Sequence, residues 1–244
     1  MAGPLTAELS ARAVIAQGIA ELTFTMRTPE RLVFRAGQFV SLSLPSGATD
    51  EVTGAVPRRS YSIASQSNAG DALRFIIRVI PEGRASDYLM ELPLGGVVNM
   101  TGPHGFFVLD PVHAGDIVFA ATGTGVAAVM PMLGELALRP PEERRRITVF
   151  WGLRQQADIF ARAEIEALAG AAGAELSVYL TAPGPDWTGG RGRITAALLD
   201  RLPRFSTPTF YLVGNGAMIT ELKRELISRG VNRKTQIRTE AFFD

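Results

Sequence analysis

Between Asp116 and Leu133 the chain reads DIVFAATGTGVAAVMPML, and no other stretch limits the possible folds so tightly. Ile117, Val118, Phe119, Ala120 and Ala121 form an unbroken apolar run, the pattern of a parallel-sheet strand covered on both faces. The run breaks at Gly123-Thr124-Gly125, and from Val126 the small and apolar residues suit a closely packed helix. A strand, a glycine turn and a helix in that order can set bare backbone N–H groups and a helix N-terminus against a phosphate. The letters fit a dinucleotide fingerprint with Ala128 as the third small residue. A plain strand-to-helix turn uses the same letters, so companion motifs elsewhere must decide.

At 244 residues, 46% hydrophobic and 20% charged, the chain suits one large domain or two ordinary ones. A formal net charge of +1 gives no whole-molecule field that would draw it to nucleic acid or an anionic membrane. There is no cysteine, which excludes disulfides, thiolate catalysis and a cysteine-bound iron–sulfur cluster within this sequence, and no metal site is expected. The opening MAGPLTAELSARAV lacks a basic flank followed by an apolar core, so no secretory signal is expected. Residues 117–134 carry no charge and are nearly long enough to span a bilayer. Their glycine, threonine and proline breaks and strand-like start favour a buried strand–turn–helix, and the expectation is a cytoplasmic protein without membrane insertion.

The first half reads as antiparallel β. Residues 8–15 and 21–26 are strands separated by Gln17-Gly18, and residues 38–44 (QFVSLSL) alternate strictly up to the turn Pro45-Ser46-Gly47. Residues 46–57 form a polar loop. Strands follow at 59–64 and 73–80 around Asn68-Ala69-Gly70-Asp71, and short ones at 97–100 and 106–109 flank Gly102-Pro103-His104-Gly105. With one helix, at 86–92, this predicts a small closed antiparallel β-barrel. In the second half, strands at 117–121, 147–153, 175–181 and 209–213 alternate with helices at 126–138, 162–169, 195–201 and 218–229, with a last strand near 235–239. That rhythm predicts an α/β doubly wound parallel sheet with helices on both faces. The change of period at 111–115 divides the chain into a barrel domain, 1–110, and an α/β domain, 111–244.

Three further segments carry chemistry. Alternation in Arg59-Ser60-Tyr61-Ser62 puts Arg59 and Tyr61 on one face, a phosphate fork beside an aromatic plate, though a surface cation–π pair has the same residues. Gly83-Arg84-Ala85-Ser86 opens the barrel-half helix with Ser86 as its N-cap, either a second phosphate site or simple capping. Gly214-Asn215-Gly216-Ala217-Met218 repeats a strand–glycine–helix junction late in the chain.

Together these segments resemble, in order and over nearly the whole chain, the ferredoxin–NADP⁺ reductase family of flavoproteins. Arg59 to Ser62 look like the family's R-x-Y-S/T flavin motif, and Gly83 to Ser86 like its pyrophosphate-binding segment. Gly102 to Phe107 resemble the G-P-x-G-x-F crossing between domains, and Thr122-Gly123-Thr124-Gly125 the T-G-T-G nicotinamide loop. Gly214 to Met218 are similar to the G-C/N-x-x-M turn, and Glu240-Ala241-Phe242 to the acidic and aromatic tail.

The resemblance implies a barrel that holds FAD and an α/β domain that holds NADPH or NADH, the two rings meeting in a cleft. It implies that Arg59 pairs with the flavin phosphate, that Tyr61 packs on the isoalloxazine and that Ser62 relays a proton near flavin N5. Arg78 and Val79 match flavin-lining positions, and Thr122, Gly123, Gly214 and Asn215 match the nicotinamide pocket. Phe242 would stack on the flavin with Glu240 beside it, although Phe243 and Asp244 follow here where plant-type members end, so Phe242 or Phe243 is the cover. Asn215 stands where plant-type members carry cysteine.

The implied activity is FAD-dependent oxidation of NAD(P)H with electrons passed to a separate carrier protein: ferredoxin, flavodoxin or an oxygenase component. The alternatives are an NAD(P)H:flavin reductase and a non-catalytic flavin-binding electron-transfer subunit. Coenzyme choice is read after the second parallel strand, where an acidic residue suits a ribose hydroxyl and arginine a 2′-phosphate. Arg154 follows that strand with Asp158 close behind, and Arg193 matches a second 2′-phosphate position. Ala182 stands where bacterial NADPH-dependent members often carry arginine, and the balance leans to NADPH. The Arg144-Arg145-Arg146 run reads as a solvated face that also offers docking to an acidic carrier, and His104 and His113 read as loop histidines.

Overall fold

The computed structural model describes residues 5–44, 57–111 and 115–242, and the chain folds as two compact units, Met1–Phe106 and Phe107–Asp244. In the first unit β1 (Leu5–Ala16) and β2 (Ile19–Thr28) form an antiparallel hairpin. Its turn needs a left-handed residue, and Gly18 supplies φ +66°. β3 (Phe39–Ser43), β4 (Arg58–Ser62), β5 (Ala72–Arg78) and β6 (Val97–His104) complete an antiparallel sheet in the order β4-β3-β6-β1-β2-β5. Its two edges meet. Just past β4, the Ala64 N–H donates to the Arg74 carbonyl at 2.8 Å and the Arg74 N–H to Ser65 Oγ at 3.2 Å, closing the sheet into the expected barrel.

Period-two alternation fills that barrel. Leu5, Ala7 and Leu9 of β1 share one buried cluster with Leu22 and Phe24 of β2, Val40 and Leu42 of β3, and Phe75 of β5. Burying each large side chain contributes roughly 1.5–3 kcal/mol. Helix α1 (Arg84–Glu91) is held at its C-terminal end, where Arg12 of β1 donates to the carbonyls of Leu89 and Leu92 at 3.3 and 2.7 Å.

In the second unit β7 (Ile117–Thr122), β8 (Ile147–Leu153), β9 (Ala174–Leu180), β10 (Gly190–Arg191), β11 (Thr209–Asn215) and β12 (Ile237–Phe242) lie parallel, in the order β10-β9-β8-β7-β11-β12. Between them run α2 (Val126–Ala137), α3 (Arg162–Ala172), α4 (Ile194–Arg201) and α5 (Gly216–Ser228). The chain steps outward from β7 through α2 to β8 and through α3 to β9, then returns past β7 to β11. With right-handed crossovers, that reversal puts α2 and α3 on one face and α4 and α5 on the other. The packing agrees: Val118, Ala120, Phe150 and Leu212 of the sheet cluster with Ile194 and Leu198 of α4 and Leu222 and Leu226 of α5. The reversal falls between β7 and β11, and sheets of this kind bind ligands at the carboxyl ends of the strands flanking it.

Several local expectations are corrected. Residues 106–109 alternate like a strand but pair with none. Their apolar side chains anchor elsewhere: the buried Phe107 ring meets Tyr211 edge-on at 5.7 Å, and the Asp110 N–H donates to the Tyr211 hydroxyl at 2.9 Å. His104 ends β6 instead of lying in a loop, its ring 5.6 Å from that of Phe39. The last strand starts later than expected because α6 (Arg233–Gln236) precedes it, with Asn232 Oδ1 accepting the N–H groups of Lys234 and Thr235 at 2.9 and 3.2 Å. The 46–57 loop, apart from Pro57, lies outside the described residues, as do His113, Phe243 and Asp244. Among the described residues, no helix is long and apolar enough to cross a membrane. Nor does any group of three or more His, Cys, Asp and Glu among them have the arrangement to hold a metal ion.

Candidate active site

At the switch point, two glycine turns interlock. Thr122 ends β7, and Gly123-Thr124-Gly125 make a single 3-10 turn before α2, with Gly123 left-handed at φ +56°. Facing it, Gly214 of β11 has φ +111°, and a Cβ there would lie 2.4 Å from Thr122 Oγ1 and 2.6 Å from its carbonyl oxygen. A Cβ on Gly125 would come within 2.9 Å of the Val213 carbonyl oxygen. Thr122 Oγ1 accepts the Asn215 N–H at 2.8 Å, which ties the end of β11 to the end of β7. By contrast, a Cβ on Gly123 would meet nothing within 4 Å. The turns are therefore closed against each other and open on the side of Gly123.

Asn215 has a structural task as well. Its Oδ1 accepts the Met218 N–H at 3.1 Å and caps α5, while Met218 itself is buried in the core below. β12 runs alongside, with Glu240 opposite Val213, Ala241 opposite Gly214 and Phe242 opposite Asn215. The later start of this strand thus brings Glu240 and Phe242 to the same edge as Thr122, Gly123, Thr124, Gly125, Gly214 and Asn215.

Toward β8 and β9 the same edge carries the cationic positions. Arg154 is exposed just past β8, its carbonyl accepting the Ala182 N–H at 2.7 Å. Arg193 is exposed at the N-cap of α4, with a guanidinium nitrogen 3.6 Å from Glu221 Oε2. Asp158 is half-buried, its Oδ2 accepting the Gln155 N–H at 3.0 Å in a capping box. Gln156 Oε1 accepts the Gly184 N–H at 2.8 Å and fastens this loop to the one after β9.

In the barrel, the residues of β4 divide by face and depth. Arg59 is exposed, and Ser60 Oγ lies 2.9 Å from Ser41 Oγ. Tyr61 is half-buried against the barrel core, its ring 6.4 Å from that of Phe75, and Ser62 is buried. Burial pushes the Tyr61 phenol up to about 12, against the opposing pull of the Arg59 charge. The hydroxyl therefore stays protonated at neutral pH, with its proton available for donation. Arg78 is exposed at the end of β5, and the half-buried Val79 donates its N–H to the Gly18 carbonyl at 2.8 Å.

α1 begins two residues earlier than Ser86, and Ser86 is not its cap. Gly83 holds that position without a side-chain bond, and Ser86, buried in the first turn, accepts the Ile80 N–H on its Oγ at 3.0 Å. A Cβ on Gly83 would sit 2.8 Å from the Ile80 carbonyl oxygen. The hydroxyl thus folds the approach loop onto the helix and leaves the first-turn N–H groups of Arg84, Ala85 and Ser86 without a side-chain acceptor from the cap.

Sequence reasoning missed three supports of this site. The Asn215 cap had a readable signal, an asparagine just before a helix start. The Arg12 clamp on α1 and the hydrogen bond from Trp151 Nε1 to the Gly123 carbonyl, 3.0 Å, had none, because both partners are brought together only by tertiary packing.

A family profile described as the oxidoreductase FAD-binding domain matches residues 6–109, and one described as the oxidoreductase NAD-binding domain matches residues 119–224. Over 242 residues the chain is 32% identical to ferredoxin–NADP reductase B of Sorangium cellulosum (strain So ce56), covering 96% of each. It is 31% identical over 195 residues to the phenol 2-monooxygenase reductase component DmpP of Pseudomonas sp. (strain CF600), a match that covers 76% of this chain and 51% of the relative. The chain therefore spans about half the length of that protein. Among solved structures, the ferredoxin reductase in carbazole 1,9a-dioxygenase superposes with a TM-score of 0.80 at 25% identity, over 99% of this chain and 70% of its own. A relative matched end to end at this identity leaves one conclusion: the chain belongs to the ferredoxin–NADP reductase family of FAD- and NAD(P)-binding oxidoreductases.

Proposed function

We propose that the chain oxidises NADPH through bound FAD and passes the electrons one at a time to a separate carrier protein, a ferredoxin, a flavodoxin or an oxygenase component. The observation that carries this reading is the edge at Gly123 and Gly214, closed where the two turns meet and open where a nicotinamide would lie. FAD supplies the redox chemistry, since it accepts a hydride at N5 and can return electrons singly. The residues of the barrel supply the hold on it. Arg59 offers a two-pronged donor to phosphate, and the first-turn N–H groups of Arg84, Ala85 and Ser86 present the positive end of α1 to a pyrophosphate. Tyr61 offers a flat ring and a protonated hydroxyl to the flavin, lined further by Arg78 and Val79. Ser62 holds and returns a proton at flavin N5.

In the α/β domain, Thr122, Gly123, Thr124, Gly125, Gly214 and Asn215 grip the nicotinamide, with Glu240 and Phe242 on the neighbouring strand. Proximity of the reacting carbon to flavin N5 is the main catalytic task and is worth about 7–11 kcal/mol. NADPH is favoured over NADH because Arg154 and Arg193 both expose guanidinium groups along the coenzyme edge, while the nearby carboxylate of Asp158 is engaged by a backbone N–H. The carrier supplies its own one-electron centre, since these residues include no cysteine to ligate an iron–sulfur cluster.

Anaerobic titration of the FAD-loaded protein with NADPH and with NADH, followed by addition of candidate ferredoxins and flavodoxins, tests the reading. Bleaching of the flavin by NADPH at lower concentration than by NADH, and then reduction of a carrier, is the expected course. Release of reduced flavin without carrier reduction would point to a flavin reductase, and a flavin that no coenzyme bleaches would point to an electron-transfer subunit.

A further inference from the structure

Trp151 is completely buried in β8, opposite Ala121 of β7, and an apolar core would satisfy its ring. Its one polar atom is used for something else. Nε1 donates to the Gly123 carbonyl oxygen at 3.0 Å, reaching past the end of β7 into the turn. The ring also packs edge-on against Phe160 at 5.2 Å, and Phe160 is itself buried just before α3.

A peptide unit is planar, and in the trans form its C=O and N–H point in opposite directions. Fixing the Gly123 carbonyl on the buried indole therefore directs the Thr124 N–H away from the domain interior. A Cβ at Gly123 would meet nothing within 4 Å, so the turn has open space beside it. Glycine turns over easily between left- and right-handed conformations, so losing the indole removes a side-chain anchor from this peptide and a donor from its carbonyl. We propose that Trp151 is a positioning residue for hydride transfer: through the Gly123 carbonyl it sets the peptide plane on which the nicotinamide rests. This rests on the functional reading above and adds a residue that touches neither coenzyme nor flavin.

The test uses FAD-loaded Trp151→Phe, which keeps an aromatic ring in the core and removes the donor together with the five-membered ring that carries it. In anaerobic stopped-flow reduction by NADPH, the limiting rate of flavin bleaching is expected to fall about tenfold. Affinity for 2′,5′-ADP, the half of the coenzyme without nicotinamide, is expected to stay within about twofold of the parent protein. An unchanged limiting rate overturns the proposal, and so does an equal loss of affinity for 2′,5′-ADP, which would reveal a merely structural role. A parent protein that neither coenzyme bleaches overturns the functional reading and the inference together; a bleached parent beside an unaffected variant overturns the inference alone.

If Trp151→Phe does not fold, the parent holoprotein still answers. It contains two tryptophans, so its indole N–H resonances are assignable with Trp187→Phe. The Trp151 signal is expected to shift on adding NADP⁺ and to stay in place on adding 2′,5′-ADP. No shift with NADP⁺ overturns the proposal.

Discussion

At Gly214 one methyl group would collide with both the hydroxyl and the backbone carbonyl of Thr122, in a conformation that L side chains rarely adopt. Gly123 also has positive φ, but its missing methyl would enter open space. The two glycines therefore answer substitution differently. Gly214→Ala combines backbone strain of about 1–3 kcal/mol with a backbone clash, and should lower the melting temperature by roughly 5–10 °C. Gly123→Ala costs about 1 kcal/mol of conformational preference and puts its methyl where the nicotinamide is proposed to lie. It should raise KM for NADPH with a smaller loss in Tm, and the reverse ranking of the two variants in calorimetry and steady-state kinetics would refute this account of the edge. A guanidinium poses a different question. If Arg154 receives the 2′-phosphate, Arg154→Ala removes a charge-assisted bond and should raise KM for NADPH about ten- to a hundredfold. KM for NADH should hardly move, and equal effects on both coenzymes would assign the phosphate to another residue.

α1 has eight residues, too short to stand alone in water, so its order depends on what grips its ends. Arg12 grips one end through the carbonyls of Leu89 and Leu92, and Ser86 binds the approach loop at the other through the Ile80 N–H. Arg12→Ala should let the last turn fray, loosen the first-turn N–H groups that are proposed to face the pyrophosphate, and weaken FAD binding about tenfold. Equilibrium dialysis measures that loss; unchanged FAD retention would show that the helix is held by its buried residues alone. This clamp joins partners that lie 77 and 80 positions apart in the chain and has no trace in local sequence, unlike the elements it supports. The apolar run of β7 and the glycine turn after it were legible because backbone chemistry at that junction is local. The alternation of β1, β2, β3 and β5 was legible because one face of each strand fills the barrel. The strand expected at residues 106–109 is absent, and this apolar run anchors instead through Phe107, whose ring packs against Tyr211. The last strand was expected too early, because an asparagine-capped turn of helix intervenes before Ile237. Ser86 misled for a related reason: its residue type suits a cap, but burial two residues into the helix gives its hydroxyl a different N–H.

Among the described residues, one hydrophobic core fills the barrel and another lies between the parallel sheet and the helices α4 and α5, while Val129 and Leu133 of α2 and Ile165 and Ala169 of α3 are buried in the same α/β unit. Each nucleotide, on the proposed reading, contacts residues supported by one of those cores: FAD by β4, β5 and α1, NADP⁺ by the turns after β7 and β11. A ligand that binds only the native form stabilises it by about 2.7 kcal/mol at a hundredfold excess over Kd. Each ligand acts first on the unit that binds it. FAD added to the flavin-free protein should thus slow amide exchange in β4, β5 and α1, and raise the barrel's unfolding temperature by on the order of 10 °C. NADP⁺ should protect the backbone from Gly123 to Gly125 and around Gly214, with little effect on β4. Site-resolved hydrogen exchange on the flavin-free, FAD-bound and NADP⁺-bound forms separates these patterns. Should FAD protect the Gly123 and Gly214 turns as strongly as it protects α1, the cores would be behaving as one cooperative body, and the assignment of one nucleotide to each unit would have to be argued from the bound positions alone.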